Sequence, residues 1–236
     1  MSDKTRIYTK RMKVSDLLAC DSSLLSILQR LDIRLGFGEA TVAELCTRYG
    51  ISADLFLMIC NIYSFRDFDI NVESLCAHDL VHVTNYLRAS HIYYKSVCFP
   101  QIHNKIHKLV EGLDDINRRL IDKFYDDYDA EVTNHFAFEE NVVFPYIDSL
   151  FSEGKNRKAD FSITIFEENQ NYIGEKLNDL KNIFIKYLPV EYSSPIRFEI
   201  LKDIYDVEKD LHKHSLIENK LLVSLVEKIE KSYEQA

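Results

Sequence analysis

Residues 135–145 read HFAFEENVVFP, and residues 214–222 repeat the pattern as HSLIENKLL. Each stretch sets a histidine and a glutamate four positions apart inside an otherwise apolar run. On a helix, positions i and i+4 lie one above the other on a single face. His135 with Glu139, and His214 with Glu218, would therefore each present an imidazole and a carboxylate in one inward direction. Composition supports the helical reading. Six Gly and four Pro are few for 236 residues, and long windows contain neither, which argues for long helices and against a many-turned β architecture.

Outward from these stretches, four long amphipathic segments follow from about residue 72, with breaks around Gly112, at Gly154 to Asp160, and at Pro189 to Pro195. Four such segments with short connections predict an all-α fold, an up-down four-helix bundle. The first core stripe runs Leu80, Leu87, His91, Cys98, Ile102, Leu109. The second runs Leu113, Ile116, Leu120, Phe124, Tyr128, Val132, His135, Glu139, Val142. The third has the cleanest heptad: Ile163, Phe166, Gln170, Ile173, Leu177, Leu180, Phe184. The fourth runs Ile200, Ile204, Val207, Leu211, His214, Glu218, Leu221, Leu225. Polar residues interrupt every stripe near its middle.

A buried carboxylate without a partner is very costly, whereas a di- or trivalent cation compensates its charge and uses its oxygen lone pairs. Imidazole and carboxylate with no thiolate suit iron or manganese, and zinc as well, and a carboxylate can bridge two ions. The expectation is a dinuclear metal site in the bundle core. One inward histidine alone would read as a hydrogen-bonded core residue, but here three histidines and two glutamates coincide on three helices. Two rival i,i+4 pairs, His78 with His82 and His103 with His107, point about 120–180° away from the first stripe and are expected in solvent. His212 is expected at the surface.

Before the bundle, residues 1–13 carry five Lys and Arg and read as a basic flexible tail, and residues 14–66 as a small helical domain, leaving 67–236 for the bundle. Thr41 with Glu44 forms a capping-box pattern, Gly50 ends that helix, and Ser52 starts the next. TVAELCTRYGIS has the cadence of a helix-turn-helix. The would-be recognition helix, ADLFLMICN, offers no Arg, Lys or Gln to read bases or hold phosphate. The net charge of -9 and pI near 5.4 also oppose nucleic-acid binding, which draws on Lys and Arg. Five scattered cysteines without CxxC spacing read as reduced, mostly buried thiols. No apolar run approaches the roughly 18–20 residues of a membrane span, and no signal-type core opens the chain. The expected location is the cytoplasm, with no membrane association.

The sequence resembles the bacterial hemerythrin-like (HHE cation-binding) di-iron proteins of the iron–sulfur cluster repair family, the repair-of-iron-centres proteins, over nearly the whole chain. SHIYY around His91, HFAFEENVVFP, ENQNYIGEKLNDL around Gln170, and HSLIENKLL follow that family's order of histidine, HxxxE, histidine, HxxxE. The resemblance implies a non-haem di-iron centre with four histidines and two bridging glutamates, carried here by His91, His135, Glu139, His214 and Glu218. The position of the fourth histidine holds Gln170, whose amide oxygen is a weak neutral ligand. One iron would then be loosely held, open to exogenous ligands, or absent. Glu167 on the same face could substitute, or Gln170 could simply hydrogen-bond a neighbour in a decayed site. The family's N-terminal domain typically carries adjacent cysteines where this chain has LGFG at Leu35 to Gly38, so no thiol pair is available there.

Three functions follow as expectations. The first is a stress protein that protects or repairs iron–sulfur clusters after nitric oxide or peroxide exposure, with iron–sulfur proteins as partners. The second is an O2- or NO-sensing or carrying protein that signals to a protein partner. The third is a structural bundle depleted of metal. A homodimer is compatible with each. No residue stands out as a separate catalytic acid, base or nucleophile.

Overall fold

The computed structural model describes residues 7–66, 68–151, 163, 174–192 and 194–234. The protein is all-α. No strand forms among the described residues, and one isolated antiparallel bridge pairs Lys13 with Thr41. The chain divides into two compact units, Met1–Ser90 with Lys213–Ala236, and His91–His212.

In the first unit, helices α1 (Val14–Cys20), α2 (Leu24–Arg30), α3 (Val42–Tyr49) and α4 (Ala53–Ser64) come first. Helix α3 begins at a full capping box, with the Glu44 N–H donating to Thr41 Oγ1 (3.3 Å) and the Thr41 N–H to Glu44 Oε2 (2.9 Å). Thr41→Ala is expected to cost about 1 kcal/mol, measured as a lower urea midpoint at unchanged slope. Gly50 then takes a left-handed φ of 66°, which costs glycine little and ends the helix. In α4 every residue from Leu55 to Tyr63 is buried, so the helix with the recognition-helix cadence is core and has no face to lay in a groove.

The basic segment is not a free tail from Tyr8 onward. Tyr8 is buried and its N–H donates to Asn61 Oδ1 (2.9 Å), while Ala43 and Val42 N–H groups donate to the carbonyls of Lys10 and Met12. Its lysines stay at the surface: Lys10 pairs with Asp54 and Lys13 with Glu39. The cysteines also differ from expectation. Cys46 and Cys60 are buried, but Cys20 and Cys76 are exposed and Cys98 is half-buried. Burial pushes the Cys46 thiol up to about 12, which keeps it protonated and unreactive.

Four long helical segments follow. Helix α5 covers residues 77–110, α6 residues 115–149, α7 residues 174–187 and α8 residues 195–234. The second unit is a bundle of parts of all four around one core. It includes Ile102 and Ile106 of α5, Tyr128 and Val132 of α6, Leu177 and Phe184 of α7, and Ile200 and Ile204 of α8. Helix α6 starts at Asp114, whose side chain accepts from the N–H groups of Asn117 (3.0 Å) and Ile116 (2.9 Å); these bonds hold its carboxyl down to about 2. Between α7 and α8, buried Lys181 reaches both oxygens of Glu208 at 2.6 Å and lies over the Tyr205 ring. Arg197 closes the end of α7 by donating to the carbonyls of Phe184, Leu188 and Pro189.

A π-helical turn interrupts three of the long helices, Tyr94–Cys98 in α5, Glu139–Val143 in α6 and Ile217–Leu222 in α8, and a fourth, Ile183–Tyr187, closes α7. In α5 and α6 the turn ends immediately before a Phe-Pro pair, Phe99-Pro100 and Phe144-Pro145. Proline lacks the N–H that an α-helix would use and its ring crowds the carbonyl four residues back. The wider π turn relieves both problems without ending the helix.

These turns correct the sequence-derived stripes. In α6 the core stripe is Ile121, Tyr125, Tyr128, Val132, Phe136, Glu139, Val143, whereas Ile116 and Leu120 are exposed and Val142 is half-buried. The expected stripe was phased from Leu113, which lies outside the helix, before its Asp114 cap. After Glu139 the extra residue of the π turn moves the inward position from 142 to 143. In α5 it likewise moves from Cys98 to Phe99. The α8 stripe is buried at all eight expected positions. In the third stripe Ile163, Leu177, Leu180 and Phe184 are buried; Phe166, Gln170 and Ile173 lie outside the described residues.

Candidate metal centre

Glu139 opens the π turn of α6 and its side chain is fully buried. One carboxylate oxygen stands 2.9 Å from His135 Nε2, one helical turn back, and the other stands 2.9 Å from His91 Nε2 on α5. Burial alone would raise the Glu139 carboxyl, but the His135 and His91 imidazoles facing it outweigh that and hold it well below the usual carboxylate range. Glu139 is thus an anion in the core.

His91 is 2 % exposed and held on several sides. Its ring stacks on Phe136 (centroids 4.1 Å, planes 19° apart) and on Phe144 (5.6 Å, 20°). Its second nitrogen, Nδ1, lies 2.8 Å from Glu140 Oε1. On α8, His214 and Glu218 are both buried and one turn apart, with Nε2 2.7 Å from Oε1. One ligand atom from each of His91, Glu139, His214 and Glu218 lies within 4.8 Å of the others. His135 touches this group through Glu139 and is slightly exposed, at 12 %.

The donor set fits a cation. Two buried carboxylates facing imidazole nitrogens carry negative charge that an apolar core cannot leave uncompensated. The converging atoms are nitrogen and oxygen only, with no thiolate, as suits iron, manganese or zinc. His91, Glu139, His214 and Glu218 could hold one ion. Gln170 and Glu167 lie outside the described residues.

The rival pairs separate. His78, His103 and His107 are exposed, as is His212, but His82 is half-buried with Nε2 out of solvent. Burial lowers the His82 imidazole, with His78 adding to the effect. The double change His103→Ala, His107→Ala is expected to leave metal content per chain unchanged. A loss of metal in that variant would move the centre away from the inward helix faces.

Three residues at the centre escaped the sequence reading: Glu140, Phe136 and Phe144. Glu140 is about 100° round the helix from Glu139, so phase alone sends it outward. Its signal was the doublet Glu139-Glu140, and that of the phenylalanines was the aromatic density of HFAFEENVVFP itself.

Comparison with known families places the bundle. Residues 82–226, more than half of the chain, fit the family model described as the hemerythrin HHE cation binding domain. No curated protein and no solved structure matched the chain. No single described helix is long and apolar enough to cross a membrane.

Proposed function

The chain belongs to the hemerythrin HHE cation-binding family, and from that premise we propose that it is a non-haem iron protein that protects or repairs iron–sulfur clusters under nitrosative or oxidative stress in the cytoplasm. The observation that carries the metal reading is Glu139, a buried carboxylate with one oxygen toward His91 and the other toward His135. Its carboxylate and the two imidazoles would hold a cation between them and balance its charge. The ligand set in this reading is His91, His135, Glu139, His214 and Glu218, with Gln170 at the position of a further histidine.

Iron bound there would supply redox chemistry and a coordination position for small molecules. The chain's own residues set its geometry and surroundings. Glu139 and Glu218 balance the charge, and Phe136 and Phe144 keep water from the His91 ring. An amide at Gln170 weakens the hold on one ion, which suits delivery of iron to a damaged iron–sulfur protein, the partner in this reading.

A second reading, an O2- or NO-responsive regulatory protein, draws on one contact. Lys213, next to His214, donates from Nζ to the carbonyl of Ile62 near the end of α4 (2.8 Å). A shift at His214 would thereby be felt by the N-terminal helices.

Iron per chain in protein purified anaerobically from iron-supplemented cells, with Gln170→His alongside, tests the metal reading. Two irons in the native protein, or one rising to two in the variant, uphold it. No iron in either leaves a bundle with the family's shape and no metal chemistry. Incubation with a nitric-oxide-damaged [4Fe–4S] protein then separates repair from sensing: repair restores that protein's activity, whereas sensing leaves it damaged.

A further inference from the structure

We propose that Glu140 is the positioning residue for His91: its carboxylate fixes a proton on Nδ1 and so aims the Nε2 lone pair at the metal. This rests on the metal-binding reading above. A neutral imidazole has one N–H and one lone pair, and whichever nitrogen meets an acceptor keeps the proton. His91 faces a carboxylate at both nitrogens, Glu140 Oε1 at 2.8 Å from Nδ1 and Glu139 Oε2 at 2.9 Å from Nε2. The two acids differ in surroundings. Glu139 is fully buried within the group of converging donors, whereas the Glu140 side chain is 33 % exposed. Glu140, outside that group and 2.8 Å from Nδ1, serves as the hydrogen-bond acceptor, leaving Nε2 to the site.

The ring cannot escape this choice by turning over. It is packed against Phe136 and Phe144 with near-parallel planes, and a flip would put Cδ2 in place of Nδ1 and Cε1 in place of Nε2, taking both nitrogens away from their carboxylates. The carboxylate also makes the imidazole a stronger donor by drawing on its N–H. Adjacent residues on one π turn thus divide the work, Glu139 binding and Glu140 aiming.

Glu140→Gln keeps the size and an acceptor oxygen while removing the charge. Outer partners of ligating histidines are typically worth about 10–100-fold in metal affinity. The full-length variant is expected to bind cobalt(II) weaker by that factor in a competition titration, with the thermal midpoint of the metal-free protein unmoved. Equal cobalt affinity in the variant and the native chain would overturn the proposal. Long-range proton–nitrogen NMR of the metal-free protein reads the same point without metal. Nδ1 of His91 should carry a proton in the native chain, and Glu140→Ala should lose that protected N–H. A bare Nδ1 in the native chain would overturn the proposal. If native protein fails to bind cobalt while Nδ1 is protonated and guarded by Glu140, the metal reading falls and the hold of Glu140 on His91 stands.

Discussion

Glu139→Ala is expected to abolish stoichiometric metal binding and, with it, all metal-dependent stabilisation. A cation that binds only the folded chain adds about 2.7 kcal/mol when its concentration is 100 times its dissociation constant. For a chain of this length that corresponds to a rise in thermal midpoint of roughly 5–10 °C. The native protein should show that rise on metal addition and the variant should show none, because one carboxylate serves both His91 and His135. The metal-dependent increment is the quantity to compare. The metal-free variant also loses a buried anion and gains a void, two effects of opposite sign on its baseline. Glu139→Gln isolates the charge, since it fills the same volume, and it should lose the increment too. A variant that still gains several degrees on metal addition would place the cation elsewhere in the chain.

Phe136→Ala is expected to cost about 3–5 kcal/mol in the metal-free protein, the range for deleting a fully buried phenylalanine side chain. The ring is wholly inaccessible and touches three others, stacking on His91 at 4.1 Å and on Tyr94 at 5.8 Å and lying 5.9 Å from His135. Removing it both opens a cavity and frees the His91 ring, so metal affinity should fall alongside stability. Phe136→Leu, which restores much of the volume but not the flat face, should recover most of the stability and less of the affinity. Urea denaturation and a cobalt titration on the same samples separate the two effects. A cost below about 1 kcal/mol would mean the ring is not the packing centre that its burial indicates.

Much of the architecture was legible because a helix imposes a fixed period. The α8 stripe from Ile200 to Leu225 is buried at every expected position, although a π turn lies within it, because the apolar run there is broad enough to include Leu222 and Val226 as well. In α6 the period misled. Carrying the phase back to Leu113 ignored the Asp114 cap, at which the helix begins, and placed Ile116 and Leu120 inward when both are exposed. The Phe-Pro pairs at 99–100 and 144–145 marked where the period would slip by one residue. Their meaning depends on whether a proline ends a helix or is absorbed by a π turn, and neighbouring packing decides that.

By itself the sequence determined the helical class, the i,i+4 pairing of His135 with Glu139 and His214 with Glu218, and the choice of nitrogen and oxygen donors over sulfur. These follow from local spacing and residue chemistry. Tertiary structure alone decided that the residues from Tyr8 to Lys13 dock on α3 and α4, and that His82 leaves solvent while His78 does not. It also brought Glu140 to the far nitrogen of His91, 49 residues away in the chain. The physical reason is the same in each case. Periodicity fixes which way a side chain leaves its own helix, but which atom it meets depends on the neighbouring helix, whose register is set by packing over many residues at once.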